Sequence, residues 1–406
     1  MTRTETGTAP ALDILAQYQA RPVPKELAFS EAEYADRLGR VRRAMDRAGF
    51  DYLLLHHLPN ICYLTGYQTP VSDWYNCLIV PREGPLTLQV CDFEVGLALM
   101  HTTLTRIESV RWNRMEDSAA QLTGLLRAEG IDGMRVGLET RRPGLNADTY
   151  QRLRDGFPTT RFQDASDLVP RVRAVKSPAE LDCLRQAARF SVAGMEAAAA
   201  AMRPGVTENA IAAAAAEAMI RAGSEFFCTD PWVRAGSRSG VIHATFKRHF
   251  VKPGDPVIVE LGAVYQRYTA PLYGTLLLGR PSDRLRRLAD VALAALALLY
   301  ENVRAGRTAG DVARAAAPAL ASVDPEVYLS EYHAYPVGLG FPPEWSEHSV
   351  WIAEGSDEVL EPGMTFHGVR SLRIPGLMAA GFSETIAVTA QGCEILTPHR
   401  RELVVA

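Results

Sequence analysis

The chain contains no run of roughly 18 uncharged apolar residues, the length a helix needs to cross a bilayer, so membrane-spanning classes drop out. Its six cysteines, Cys62, Cys77, Cys91, Cys183, Cys228 and Cys393, show no CxxC and no Cys/His finger spacing. That pattern argues against both a disulfide framework and a structural zinc site and leaves them as small buried hydrophobes. An excess of one charge is missing too. Net charge is −4, with arginines spread beside Asp and Glu, so no basic patch invites a nucleic acid. Residues 1 to about 25 lack the continuous apolar core of a signal peptide and read as a leader segment of a cytoplasmic protein. The phosphate-loop, nucleophile-elbow, H-E-x-x-H and G-x-G-x-x-G signatures are all absent, which removes the common nucleotide and serine-hydrolase classes.

What is present is a globular composition, 47% apolar and 22% charged, over 406 residues. A single core stops growing near 250–300 residues, so two domains are expected, divided at residues 1–172 and 173–406. In the first, Ser30 and Glu33 form an S-x-x-E capping signal with Phe29 and Tyr34 placed as a staple, and a helix runs to Gly49. The apolar runs at 51–55, 77–80, 86–90 and 136–138 alternate with helical patterns at 117–130 and 147–153, which predicts an α/β unit. The second opens at Ser177-Pro178-Ala179-Glu180, a capping box with Pro at the first helical position. Strands are predicted over 256–263 and 268–278, and a long helix over 283–303. The pattern R-x-G-x-T-x-x-x-[IV]-A occurs at Arg203 and again at Arg304. It suggests two similar halves with a site in the cleft between them.

The chemistry-bearing residues concentrate in the second domain. Glu260, inside PVIVELGA, is a carboxylate in an apolar strand, and such a group needs either an ion-pair partner at the strand end or a working role as acid, base or nucleophile. Glu384 opens a further strand, where it is a second working carboxylate or an exposed strand-end charge. His243 sits in the Gly/Ser-rich GSRSGVIH, suited to moving protons. His367 on a strand face is a ligand contact or a satisfied core histidine. Tyr268, Tyr273, Tyr335, Trp345 and Glu347 are candidates for substrate contacts, and the stiff Pro/Gly/aromatic segment 335–347 suits the wall of a small-molecule pocket, with Trp345 able to face a cation.

Several segments carry a resemblance. Pro59-Asn60-Ile61-Cys62-Tyr63-Leu64-Thr65-Gly66 resembles the N-x-x-Y-L-T-G element of creatinase-type N-terminal domains, and Arg173 to Glu180 (RAVKSPAE) resembles the linker that opens a pita-bread domain. With KPGDPVIVELGA, EPGMTFH and the Glu384 strand, the likeness covers nearly the whole chain. RYTAPLYGTLLLGRP and YPVGLGFPPEWSE are similar to the ectoine hydrolase subgroup, which opens a cyclic amidine. The resemblance implies an α+β protein, a creatinase-like α/β domain followed by a pita-bread domain, and a homodimer acting on a small molecule. It also implies missing metal ligands. Where metallopeptidases of this superfamily place two aspartates, a histidine and two glutamates, this chain has Glu260, Pro271, Tyr335 and Val369, with Glu384 taken as the one retained ligand. No metal and no other cofactor are therefore expected. The subgroup's R-Y-H-C-P-L-x-R-T reads Arg267-Tyr268-Thr269-Ala270-Pro271-Leu272-Tyr273-Gly274-Thr275 here, without a histidine and an arginine, and Gly381 stands where the subgroup carries a glutamate. The missing arginine implies a lost carboxylate partner.

The expectation is a metal-independent hydrolase cleaving a C–N bond of a small amidine, guanidine or amide, with His243, Glu260 and Glu384 as catalytic residues. A lyase or cyclase on a related metabolite, an Xaa-Pro metallohydrolase and a non-catalytic binding protein are the alternatives.

Overall fold

A computed structural model of the chain describes residues 14–405. It separates into two compact units, the first ending at Val169 and the second beginning at Pro170. The first contains α1 (Ile14–Ala20), α2 (Glu31–Ala48), β1 (Tyr52–Leu55), α3 (Leu58–Thr65), β2 (Asn76–Pro81), β3 (Thr87–Cys91), α4 (Val95–His101), β4 (Ile107–Val110), α5 (Ser118–Glu129), β5 (Arg135–Leu138), α6 (Ala147–Gly156) and β6 (Arg161–Asp164). The strands form one mixed sheet in the order β4-β3-β2-β1-β5-β6. Leu54, Ile79, Val136 and Leu138 of the sheet pack on Leu122, Leu126, Leu153 and Phe157 of α5, α6 and the loop after α6.

Local signals set the helix ends. Ser30 Oγ accepts from the Glu33 N–H at 3.3 Å, the Phe29 and Tyr34 rings meet edge-on at 6.0 Å, and α2 closes at Gly49 with φ 70°. The leader expectation needs correction for residues 14–25, while its first part, 1–13, lies outside the described residues. Residues 14–20 are helical, and the Lys25 ammonium donates to the Leu99 and Thr102 carbonyls at 2.6 Å each, at the C-terminal end of α4, where a cation is favoured.

Helix α7 (Leu168–Arg173) crosses the division, and α8 (Pro178–Ala200), α9 (Glu208–Ala222), β7 (Trp232–Ala235), β8 (Pro256–Tyr265), β9 (Tyr268–Leu277), α10 (Asp283–Asn302), α11 (Ala309–Ala316), β10 (Tyr332–Phe341), β11 (Glu344–Ser346), β12 (Ile352–Ala353), β13 (Thr365–Ile374), β14 (Met378–Val388), β15 (Cys393–Ile395) and β16 (Val404–Val405) build the second unit. Its large sheet runs β15-β14-β13-β10-β9-β8-β7. Two helical layers cover one side in two clusters: α8 and α9 over β7–β9, and α10 and α11 over β10, β13 and β14. The sequence echo sits at matching places in those halves, with Thr207 capping α9 and Thr308 capping α11.

The capping box at Ser177 is complete in both directions. All six cysteines are free, and Cys393 alone is only partly buried. No helix among the described residues is long and apolar enough to cross a membrane.

Candidate active site

The sheet face away from the helices carries a cavity of about 520 Å³. Strand alternation decides which side chains enter it. Pairing puts Glu260 of β8 opposite Trp232 of β7 and Tyr273 of β9, so these three share a face, and Arg234, two residues beyond Trp232, shares it too. All four line the cavity, with His243, Tyr335, Trp345, Val369, Ser371 and Arg373 around them.

Glu260 is buried and reaches one cation, Arg234 Nη2, at 3.6 Å. Burial pushes its carboxyl above the usual range, against the attraction of Arg234 and Arg373. His243 follows the turn 236–240 with φ 58°, a left-handed conformation, and its ring lies 4.6 Å from that of Trp232. Burial, then Arg234 and Arg373, hold the imidazole below its ordinary value, so it is neutral near pH 7.

Beneath the wall runs a hydrogen-bonded line. Trp345 Nε1 donates to the Tyr335 hydroxyl at 2.9 Å, that hydroxyl meets His367 Nδ1 at 2.6 Å, and His367 Nε2 meets Ser383 Oγ at 2.5 Å. Ser383 Oγ also accepts from the Tyr273 N–H at 2.7 Å. His367 is fully buried and pushed down to about 3, so its ring carries one N–H. One ring nitrogen donates and the other accepts, which ties the proton of Tyr335 to that of Ser383.

Four expected site residues lie elsewhere. Glu384 pairs with Gly368, one place out of step with the cavity face, and points to the helix side beside Tyr300 with Arg401 Nε 3.2 Å away. Ser383 is the residue that β14 sends to the Tyr273 and His367 side, so the serine, not Glu384, is on the cavity side of the sheet, in the layer behind the wall. The Tyr268 hydroxyl donates to Glu180 at 2.7 Å under α8. Glu347 is buried by Arg173 at 2.7 Å and Lys176 at 2.5 Å, a structural charge cluster. His367 acts behind Tyr335 and does not line the cavity. Tyr273, Tyr335 and Trp345 do line it.

The missing arginine also reads differently. Gly274 faces Met195 of α8, where a Cβ would sit 3.2 Å from the thioether, so an arginine there would point away from the cavity. A Cβ at Gly381 would stand 2.5 Å from the Arg370 carbonyl oxygen, 2.8 Å from the Ser371 Cα and 2.9 Å from the Tyr273 ring, so the close neighbouring strand and that ring leave no room for a side chain. Sequence reasoning passed over Arg234 and Arg373, although an arginine two residues after Trp232 in a short strand is itself a signal of a charge on the Glu260 face.

Residues 182–390 match metallopeptidase family M24, and residues 37–175 match the creatinase/prolidase N-terminal domain. The chain is 28% identical to an ectoine hydrolase of Halomonas elongata over 93% of its own length and 98% of the relative's. It is 23% identical to an Xaa-Pro dipeptidase of Pyrococcus horikoshii over 91% and 99%. The solved Xaa-Pro dipeptidase of Bacillus anthracis superposes with a TM-score of 0.78 at 23% identity, covering 92% of this chain and all of that one. The chain belongs to metallopeptidase family M24, is a hydrolase of that family, and has the α+β architecture of a creatinase-type domain followed by a pita-bread domain.

The family name implies metal ions, and the donor set here does not fit them. Among the described residues no three His, Cys, Asp or Glu side chains group closely enough to hold an ion. Val369 and Ser383 occupy inward positions of their strands, and the one buried carboxylate of the wall faces a guanidinium.

Proposed function

We propose that this M24 hydrolase opens a C–N bond of a small amidine, guanidine or amide without a metal ion, using Glu260 and His243. The observation that carries the reading is Glu260: a carboxylate buried in a cavity wall, held by one cation at 3.6 Å and otherwise turned to the space a substrate would fill. A buried carboxylate raised in proton affinity is a stronger base than a free one.

Water adds across the bond. Its oxygen ends on the carbon, either directly with Glu260 taking the first proton or, where Glu260 itself attacks that carbon, when water then splits the bond so formed. One hydrogen ends on the departing nitrogen and the other leaves with the products, so that Glu260 is a carboxylate again. The neutral His243 collects a proton and returns it to that nitrogen. The aromatic walls, with Trp232 and Trp345 centred 5.4 Å apart, offer faces to a cationic amidinium. The 28% identity to an ectoine hydrolase supports the substrate class.

The test is incubation with ectoine, creatine and related cyclic amidines in the presence of a chelator, followed by mass spectrometry. Gain of one water by at least one amidine is the expected result. Turnover confined to Xaa-Pro dipeptides and dependent on added divalent metal would overturn the reading.

A further inference from the structure

The cavity holds more cationic hydrogen-bonding capacity than the protein itself uses. Arg234 is 1% exposed, yet its Nε and Nη1 have no hydrogen-bond partner, and only Nη2 approaches an anion. The guanidinium carbon lies 5.7 Å from the centre of the Tyr273 ring. Leaving three N–H donors of a buried cation unmade is expensive, and native proteins keep such a group where something from outside completes it.

Arg373 lines the same cavity from β13 and is 6% exposed. Its guanidinium stacks over Tyr328 at 4.7 Å, and among the described residues no acidic side chain pairs with it. Stacking fixes the plane of the fork without using its donors. Against these two cations the buried wall sets one carboxylate, Glu260. Glu344 at the rim is exposed and occupied by His348 at 3.1 Å. One positive charge is left for an incoming anion.

We propose that Arg234 and Arg373 form an anion subsite that grips a carboxylate of the substrate and so sets the position of the bond presented to Glu260. Nη2 of Arg234 carries two hydrogens, so the one that Glu260 leaves can join Nε–H or Nη1–H in the two parallel hydrogen bonds a planar carboxylate accepts, and the aromatic lining of the cavity suits an organic anion. The link to the bond cleaved rests on the role given to Glu260 above, whereas anion capture does not.

The experiment is calorimetric titration of the full chain with N-acetylglycine, creatine and ectoine, each against its own primary carboxamide, and with inorganic phosphate. At least one carboxylate should bind about tenfold or more tightly than its amide. Arg234→Gln and Arg373→Gln should each remove most of that preference, and Arg234→Lys, a point charge without the fork, should keep part of it. Melting curves identify a variant that has failed to fold, in which case Arg373→Gln and Arg234→Lys carry the test. Glu260→Gln separates the two readings, since it should lower turnover by about 100-fold or more and leave carboxylate binding intact or tighter. The proposal is overturned if no carboxylate is preferred over its amide, if the preference survives in both glutamine variants, or if phosphate binds more tightly than every carboxylate.

Discussion

Each unit buries glutamates in its interior, and one from each, Glu139 and Glu260, are treated in opposite ways. Glu139, at the end of β5, accepts from the backbone N–H groups of His56 at 2.6 Å and His57 at 2.7 Å and from the Asn60 amide at 2.5 Å, so both oxygens are engaged. Burial still pushes it up to about 7, against the pull of those donors. Glu260 has no such collar. One guanidinium stands 3.6 Å away on one side and a cavity opens on the other. The first carboxylate is an internal staple joining β5 to the start of α3; the second has been left incomplete. Burial alone does not mark a working carboxylate, and the donors around it do.

The comparison breaks or holds on one pair of variants, where the largest effect is expected. Glu260→Gln keeps shape and removes the base, and it should lower turnover by about 100-fold or more with little change in melting. Glu139→Gln should do the reverse. Its amide group would turn N–H donors toward backbone N–H donors, stranding at least one, at a cost of about 1–3 kcal/mol, while turnover per folded molecule is retained. Steady-state rates and thermal melts of both proteins decide it, and equal stability losses with equal rate losses would dissolve the distinction.

Much of this was legible in the sequence, and the failures share a cause. Capping signals and alternating apolar runs located the helices and strands of both units, because those signals are local. Glu260 stood out because an acid amid Val, Ile and Leu has no local explanation. Its partner on β7 and the cavity lining from β13 did not, since they are joined to it only by strand pairing across more than twenty residues. Glu384 was misplaced by one position: a strand repeats every two residues, so the serine before it and not the glutamate lies on the cavity side of the sheet, behind Tyr273 and His367. Glu347 and Tyr268 looked available because their partners Arg173, Lys176 and Glu180 lie more than eighty residues away in the chain.

An intermediate effect sharpens the account of Glu260 through pH. Burial holds its carboxyl above the ordinary 4.5, and the two arginines oppose that rise. The reaction needs the ionised form, so kcat/KM should fall as pH drops, with a midpoint above 4.5. Removing a cation weakens the opposition. Arg234→Gln should therefore move the acid limb to higher pH, whereas a conservative Arg234→Lys should move it less. A limb that stays in place in the glutamine variant would mean that Arg234 does not sense the charge of Glu260.

The smallest effect is expected at Glu384, and its smallness is the informative part. The residue is buried, pushed up to about 7, and one of its oxygens has no hydrogen-bond partner, so by burial and proton affinity it resembles Glu260. The two differ in the side of the sheet they face. Glu384 looks toward Tyr300 of α10 and the Arg401 guanidinium, with the thickness of the sheet between it and the cavity. Glu384→Gln should leave kcat and KM within about twofold of the parent, the scale expected when no contact to reacting atoms is lost. Melting should change little, because the amide preserves packing and the half-exposed Arg401 can turn to solvent. Ser383→Ala, one residue earlier, should cost more, since it removes the hydrogen-bond partner of His367 Nε2 and the acceptor for the Tyr273 N–H and so loosens the line that runs through the Tyr335 hydroxyl. Rates measured on the two neighbouring variants test the register itself: a larger loss at Glu384 than at Ser383 would place the chemistry on the other face of β14.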